Sequence, residues 1–164
     1  MNDLISVIVS TYNWPTALDL VLQSLALQKD NHFEVIVADD GSKAETAELI
    51  SHHQATFPHP LIHSWQEDKG FRLARSRNKA VTLAHGDYLI FMDGDCLVRQ
   101  EFVTQHRRLA QERCVVAGQR ILLSKAFTQA LFQRPQLDWM NHLSTVIKFS
   151  QQKKLNRFSP ALSL

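Results

Sequence analysis

The residues whose types and spacing carry the most chemistry are Asp93, Gly94 and Asp95, which follow directly on Tyr88-Leu89-Ile90-Phe91-Met92. Five large apolar residues rich in β-formers predict a strand buried on both faces. Two carboxylates at the mouth of such a strand repel each other and lose hydration, and no cation stands beside them in sequence. A divalent metal bound through hard oxygen ligands is the most economical compensation, and it would hold an anionic ligand in turn. Gly94 would let the backbone approach that ligand. The competing description is an ordinary Asp/Gly turn that closes a strand.

Carboxylates placed this way need a framework. Residues 4–9 are apolar apart from Ser6 and partly β-branched, the pattern of a buried strand. Ser10-Thr11-Tyr12-Asn13 turns polar, Pro15 suits a first helical turn, and Leu18, Val21, Leu22 and Leu25 recur at helical spacing through Ala26. The unit repeats. Residues 33–38 predict a second buried strand, closed by Asp39-Asp40-Gly41-Ser42, and Ser42 with Glu45 fits a capping box opening a helix over 44–54. Residues 61–65 predict a third strand, and residues 72–84 an Ala-rich helix followed by Gly86 at an expected left-handed cap.

Strands alternating with helices imply an α/β fold, with a mostly parallel central sheet, right-handed crossovers and helices on both faces. The C-terminal strand ends of such a sheet share one edge, where ligands bind. Tyr12-Asn13, Asp39-Asp40 and Asp93-Gly94-Asp95 all follow strands and are expected to converge there. Past Cys96 the pattern weakens. It predicts a helix over 101–112, a short strand over 114–117, a possible sheet extension over 119–123, and helices over 126–132 and 137–149. The tail carries Lys153, Lys154 and Arg157, then Phe158, Pro160, Leu162 and Leu164.

At 164 residues the chain is large enough to bury about 70% of its unfolded surface in one core. A formal charge of +2 implies no strong affinity for polyanions. Cys96 and Cys114 lack metal-ligand spacing, and Met1-Asn2-Asp3 does not open a signal-like run, so a reducing cytoplasmic compartment is expected. No apolar run approaches the roughly 20 residues of a membrane span; peripheral contact through the basic tail stays open. There is no Walker pattern, no glycine-rich turn after the first strand, and no basic stripe with interleaved aromatics, so kinase, dinucleotide and nucleic-acid readings lack support. His52, His53, His59 and His63 cluster without ligand spacing. Cys96 reads as a small packed residue.

The chain resembles the N-terminal, nucleotide-sugar-binding part of the family-two glycosyltransferases with the GT-A fold. The matching pieces are Ser6-Val7-Ile8-Val9-Ser10-Thr11-Tyr12-Asn13, Val35-Ile36-Val37-Ala38-Asp39-Asp40-Gly41-Ser42, Arg72 with Asn78 and Ala80, and Gly86-Asp87 running into Tyr88-Leu89-Ile90-Phe91-Met92-Asp93-Gly94-Asp95. Any one is weak, whereas the ordered set is specific. The resemblance implies a UDP-sugar or other nucleotide-sugar donor, with Mn²⁺ or Mg²⁺ bridging its pyrophosphate, and a glycan or lipid-linked acceptor. It places Ser10 and Tyr12 against the base, with Asn13 beside them, and gives Asp40 a hydrogen bond from the base edge. Asp39 supports the loop or a ribose contact, and Arg72 approaches the base or the diphosphate. Asp93 faces the ribose or the metal, and Asp95 is the best candidate for direct metal ligation. Inversion is expected from the family alone.

Residues 1–118 then form the nucleotide-sugar-binding core, and 119–164 begin an incomplete acceptor-side region. After Asp95 the only acidic residues are Glu101, Glu112 and Asp138, and none matches the family's general base, so the catalytic base is unassigned. The chain reads as a fragment, a truncated product or a pared-down relative; the oligomeric state is open. A non-catalytic nucleotide-sugar-binding or interaction module is the main rival. A haloacid-dehalogenase-type phosphatase would want Thr or Val where Leu97 stands, and a response-regulator receiver leaves Tyr12-Asn13 unexplained.

Overall fold

Ile5–Thr11 (β1) and Phe33–Asp39 (β2) are buried at every position, because each strand meets helices on both sides. The computed structural model describes residues 3–156, which divide into a unit of residues 3–112 and a second unit of residues 113–156. On one face of the first unit, Ile5, Val7, Val9, Phe33, Val35 and Val37 pack with Leu18, Val21, Leu22 and Leu25 of α1 (Pro15–Ala26) and Ile50 of α2 (Ala44–Gln54). On the other, Ile8, Ile36 and Ala38 pack with Ala80 of α3 (Leu73–Val81). β3 (Leu61–Trp65) and β4 (Tyr88–Asp93) complete a four-stranded parallel sheet in the order β3-β2-β1-β4, and α4 (Phe102–Leu109) follows. The fold is thus the expected α/β sheet with helices on both faces.

Several local expectations change. β4 is buried on one face only: Ile90 and Met92 enter the core, while Phe91, on the α3 side, is 49% exposed. Among the described residues β4 is an edge strand, and α3 packs across β1, β2 and β3 instead. The capping box at Ser42 does not form. Lys43 is the N-cap, without a side-chain cap bond, and Ser42 is drawn into the loop after β1, where its Oγ accepts from Asn13 N at 2.9 Å. Nor is Gly86 a left-handed cap. α3 ends at Val81, and a Cβ on Gly86 would lie 2.5 Å from the Leu4 carbonyl oxygen and 2.7 Å from Ser6 Oγ. Close packing against β1 therefore requires glycine there.

The Ser6 hydroxyl, polar in an apolar strand, belongs to a buried network. It donates to Glu34 Oε1 at 2.6 Å and accepts from Gly86 N at 2.9 Å, while His85 N donates to the same Glu34 oxygen. His85 Nδ1 lies 3.0 Å from Glu34 Oε2. Burial pushes the Glu34 carboxyl up, but the hydrogen bonds from Ser6 and His85 outweigh it and leave it below its ordinary value of 4.5. A depressed folded pKa contributes stability that is complete above 4.5 and is lost as pH falls through the lowered value. Glu34→Gln is expected to cost about 1–3 kcal/mol at neutral pH, since an amide NH₂ then faces donors. Urea midpoints taken between pH 3 and pH 7 should fall with acid in the native protein and fall less steeply in the variant, where Asp39 and Asp30 still contribute.

The second unit is built differently from expectation. Residues 114–117 form no strand. β5 (Leu122–Leu123) pairs antiparallel with β6 (Leu155–Asn156) in a sheet of its own, so residues 119–123 do not extend the central one. Ser124 caps α5 (Lys125–Gln133) by accepting from Phe127 N. The helix expected over 137–149 is split at His142, extended at φ −112°, into a 3₁₀ turn (Asp138–Asn141) and α6 (Leu143–Gln151). Phe127 meets Trp139 and Phe149 edge to face, Trp139 and Phe149 lie tilted at 47°, and Lys154 Nζ sits 4.5 Å over the Phe149 ring. No helix among the described residues is long and apolar enough to cross a membrane. Arg157, Phe158, Pro160, Leu162 and Leu164 lie outside the described residues.

Candidate functional site

All four parallel strands end on one edge, and each hands its chain to a loop that meets the next. From β1, Tyr12, Asn13 and Trp14 lead into α1; from β2, Asp40, Gly41 and Ser42 lead into α2; from β4, Gly94 and Asp95 follow at once. Ser10, Thr11, Tyr12, Trp14, Asp93, Gly94 and Asp95 line a single open hollow of about 190 Å³. The β1 and β4 termini are held together by Gly94 N donating to Ser10 O at 2.7 Å. A Cβ on Gly94 would stand 2.6 Å from that oxygen. The neighbouring strand by itself therefore requires glycine at this position.

The residues singled out from the sequence divide by orientation. Tyr12 is 53% exposed, and its hydroxyl donates to Asp68 Oδ2 at 3.0 Å. That hydrogen bond, with the charge of Asp68, raises the phenol above its ordinary pKa. Asn13 has left-handed backbone (φ 47°) and stitches two loops, its N–H donating to Ser42 Oγ and its Oδ1 accepting from Lys43 N, both at 2.9 Å. Asp39 faces inward, fully buried. Its Oδ1 accepts from Gly41 N and Ser42 N, and His63 Nε2 lies 2.9 Å from its Oδ2. Burial pushes that carboxyl up, and the bonds from His63 and Ser42 outweigh it, leaving it low. Asp39 and Asn13 shape the loops around the hollow.

Asp40 does not line the hollow. Its carboxylate accepts from Gln66 Nε2 at 2.5 Å and from Arg72 N at 2.7 Å, beneath the loop that joins β3 to α3. Arg72 is the N-cap residue of α3, and its guanidinium also bonds the Glu67 carbonyl. Beside Asp40, Gln66 Oε1 and Arg72 Nε are buried without a hydrogen-bond partner among the described residues. An orphaned acceptor and an orphaned donor in adjacent side chains are costly unless something polar reaches them.

The cation missing beside Asp93 in sequence arrives from α3. Arg77 Nη2 donates to Asp93 Oδ1 and Arg77 Nε to Ser10 Oγ, each at 2.8 Å. Sequence reasoning missed both Arg77 and Gln66. Arg77 had a signal: it lies next to the buried Ser76 and one turn before the buried Ala80, on the flank of α3 that meets the sheet. Arg77 offsets one of the two charges, and Asp95 remains exposed on the rim. Carboxylate oxygens of Asp93 and Asp95 and the Cys96 sulfur lie within 4.8 Å of one another, a donor set that fits a divalent cation.

A parallel sheet with helices on both faces, whose strand ends gather an aromatic ring and two aspartates around one hollow, has the architecture of the GT-A glycosyltransferases. The chain belongs to Glycosyl transferase family 2, whose sequence model matches residues 6–163. Among relatives, the uncharacterized glycosyltransferase YfnE of Bacillus subtilis is 40% identical over 116 residues, 69% of this chain and 29% of the relative. A validoxylamine A glucosyltransferase of Streptomyces hygroscopicus is 35% identical over 102 residues, 61% of this chain and 24% of that protein. Among solved structures, S. aureus TarS 1–349 in complex with UDP-GlcNAc superposes with a TM-score of 0.56 at 28% identity, over 63% of this chain and 30% of that one. The mannosyltransferase PcManGT of Pyrobaculum calidifontis, in complex with GDP-Man and Mn²⁺, gives a TM-score of 0.57 at 24% identity over 66% and 32%, a likeness of fold. The chain spans less than a third of the length of each.

Proposed function

We propose that the protein to which this chain belongs transfers a sugar, with inversion, from a nucleotide-diphosphate donor, UDP-sugar favoured, to a glycan or lipid-linked acceptor. The observation that carries this reading is the single hollow shared by Tyr12, Asp93 and Asp95 in a chain of this family. The exposed Tyr12 ring stacks on the nucleobase with Ser10 below it, and the base edge reaches Asp40, Gln66 and Arg72, where the unpaired buried polar atoms lie. Asp95, with Asp93, would hold Mn²⁺ or Mg²⁺, which would supply positive charge beside the leaving diphosphate. Arg77 keeps Asp93 oriented toward the hollow through their ion pair.

TarS binds UDP-GlcNAc, and relatives include a hyaluronan synthase and a chondroitin synthase of Pasteurella multocida, which favours polysaccharide building. No third carboxylate lines the hollow among the described residues, and Glu101 is paired with Lys29, so the residue that activates the acceptor is left unassigned. Residues 1–118 act as the donor half and 119–164 begin the acceptor side. The reading includes a cytoplasmic location, with the exposed Lys153 available for peripheral membrane contact and Lys154 held over the Phe149 ring. The rival, a binding module without turnover, is favoured by the same missing carboxylate.

Calorimetric titration of UDP and UDP-sugars in Mn²⁺ and in EDTA tests the donor site. Binding should tighten at least about tenfold with Mn²⁺, a gain of roughly 1.4 kcal/mol. Equal affinity in both conditions removes the metal bridge. Release of UDP by the full-length protein with acceptor, over that without, separates the enzyme from the module.

A further inference from the structure

The turn after β4 places a soft donor among the hard ones. Cys96 N donates to Asp93 O at 3.1 Å, closing the turn, and Gly94 N anchors the same turn to β1. The half-buried Cys96 side chain packs against the core that holds Val98 and Val103, so its position is set by the fold. Its Sγ stands 3.5 Å from Asp95 Oδ1. Two ligands at about 2.1 Å and 2.3 Å from one cation, oxygen and sulfur, stand about 3.1 Å apart at a right angle and about 3.6 Å apart at a tetrahedral one. The observed spacing falls between these limits. With Arg77 offsetting one carboxylate, a divalent cation and a thiolate together bring the set to neutrality.

We propose that Cys96 is a third protein ligand of the cation bound by Asp93 and Asp95, and that it makes the site prefer sulfur-accepting ions such as Cd²⁺, Zn²⁺ and Co²⁺ over Mg²⁺. This rests on the cation reading given above. Ligation replaces the S–H bond with a metal–sulfur bond and releases the proton to buffer. Mg²⁺ takes oxygen ligands almost exclusively and holds its waters, so the thiol adds little for it. Mixed sulfur and oxygen sets suit the softer ions.

Co²⁺ is the probe. The chain titrated with Co²⁺ should develop a near-ultraviolet sulfur-to-cobalt charge-transfer band, retained in Cys114→Ser and lost in Cys96→Ser. Cys96→Ser should lower Cd²⁺ affinity about tenfold or more and change Mg²⁺ affinity by less than about twofold. Independently of any variant, Cd²⁺ should slow alkylation of Cys96 by iodoacetamide and leave Cys114, exposed in the other unit, unaffected. Co²⁺ that binds in an Asp95-dependent way without the band, or with Cys96 still alkylated at the metal-free rate, overturns the thiol ligand and leaves the cation site standing. Co²⁺ that shows no Asp95-dependent binding overturns both.

Discussion

Asp95→Ala is expected to lower the cation-dependent rate of sugar transfer by the full-length protein about a hundredfold or more. The size follows from what the cation does: losing several kcal/mol of stabilisation on the leaving diphosphate costs a decade for about every 1.4 kcal/mol. Asp95 is the sensitive member of the pair because Asp93 already gives Oδ1 to Arg77, and no Lys or Arg side chain among the described residues forms an ion pair with Asp95. The stabilisation develops in the transition state, so kcat should fall more than KM rises. Asp40→Ala should behave differently. It removes the acceptor for Gln66 and for Arg72 N, loosens the β3–α3 loop, and weakens nucleoside binding with or without metal. Initial rates of UDP release across a Mn²⁺ titration, set beside nucleoside binding, distinguish the two. A loss below about fivefold for Asp95→Ala, or identical profiles for both variants, contradicts the assigned roles.

How far the sequence reaches depends on whether a residue's neighbours are local. The apolar runs of β1 and β2 fix the sheet because seven consecutive buried side chains admit few other structures, and the polar ends after Thr11, Asp39 and Asp93 locate its ligand edge. β4 has the same apolar density, yet Phe91 is half exposed, since what covers a strand is decided by where a distant helix lies. Ser42 carries a helix-cap pattern and serves another loop, because Asn13, brought in by β1, competes for its hydroxyl. The roles of Arg77 and Gln66 are hidden for a related reason, even though the helix flank of Arg77 gives a signal: their partners, Asp93 and Asp40, come from other strands. Asp39 and Asp40 look equivalent in sequence. Strand geometry separates them, turning Asp39 into the loop's own hydrogen bonds and Asp40 toward the β3–α3 loop.

Gly41→Ala is expected to be the most damaging small substitution in the first unit. Gly41 has φ +99°, where a side chain costs about 1–3 kcal/mol. Its new Cβ would also meet Asp68 Cα at 2.6 Å and Asp68 N at 2.7 Å, and backbone cannot rotate away as a side-chain tip can. Overpacking of this kind adds about 1–3 kcal/mol, for a total of about 2–6. Asp68 is the point of contact that matters, since its carboxylate holds Tyr12 and Gly70 and its loop delivers Arg72 N to Asp40. Displacing it should loosen both the aromatic ring and the acid, so nucleotide affinity should fall about tenfold or more even where the variant remains folded. Gly70→Ala isolates the backbone component. Gly70 also has positive φ, +81°, but nothing stands within 4 Å of the added Cβ, so it should cost about 1 kcal/mol. Thermal melts and UDP titrations of the two variants decide the matter. Equal losses would mean that the approach of Asp68 to Gly41 plays no part in holding the donor side of the site.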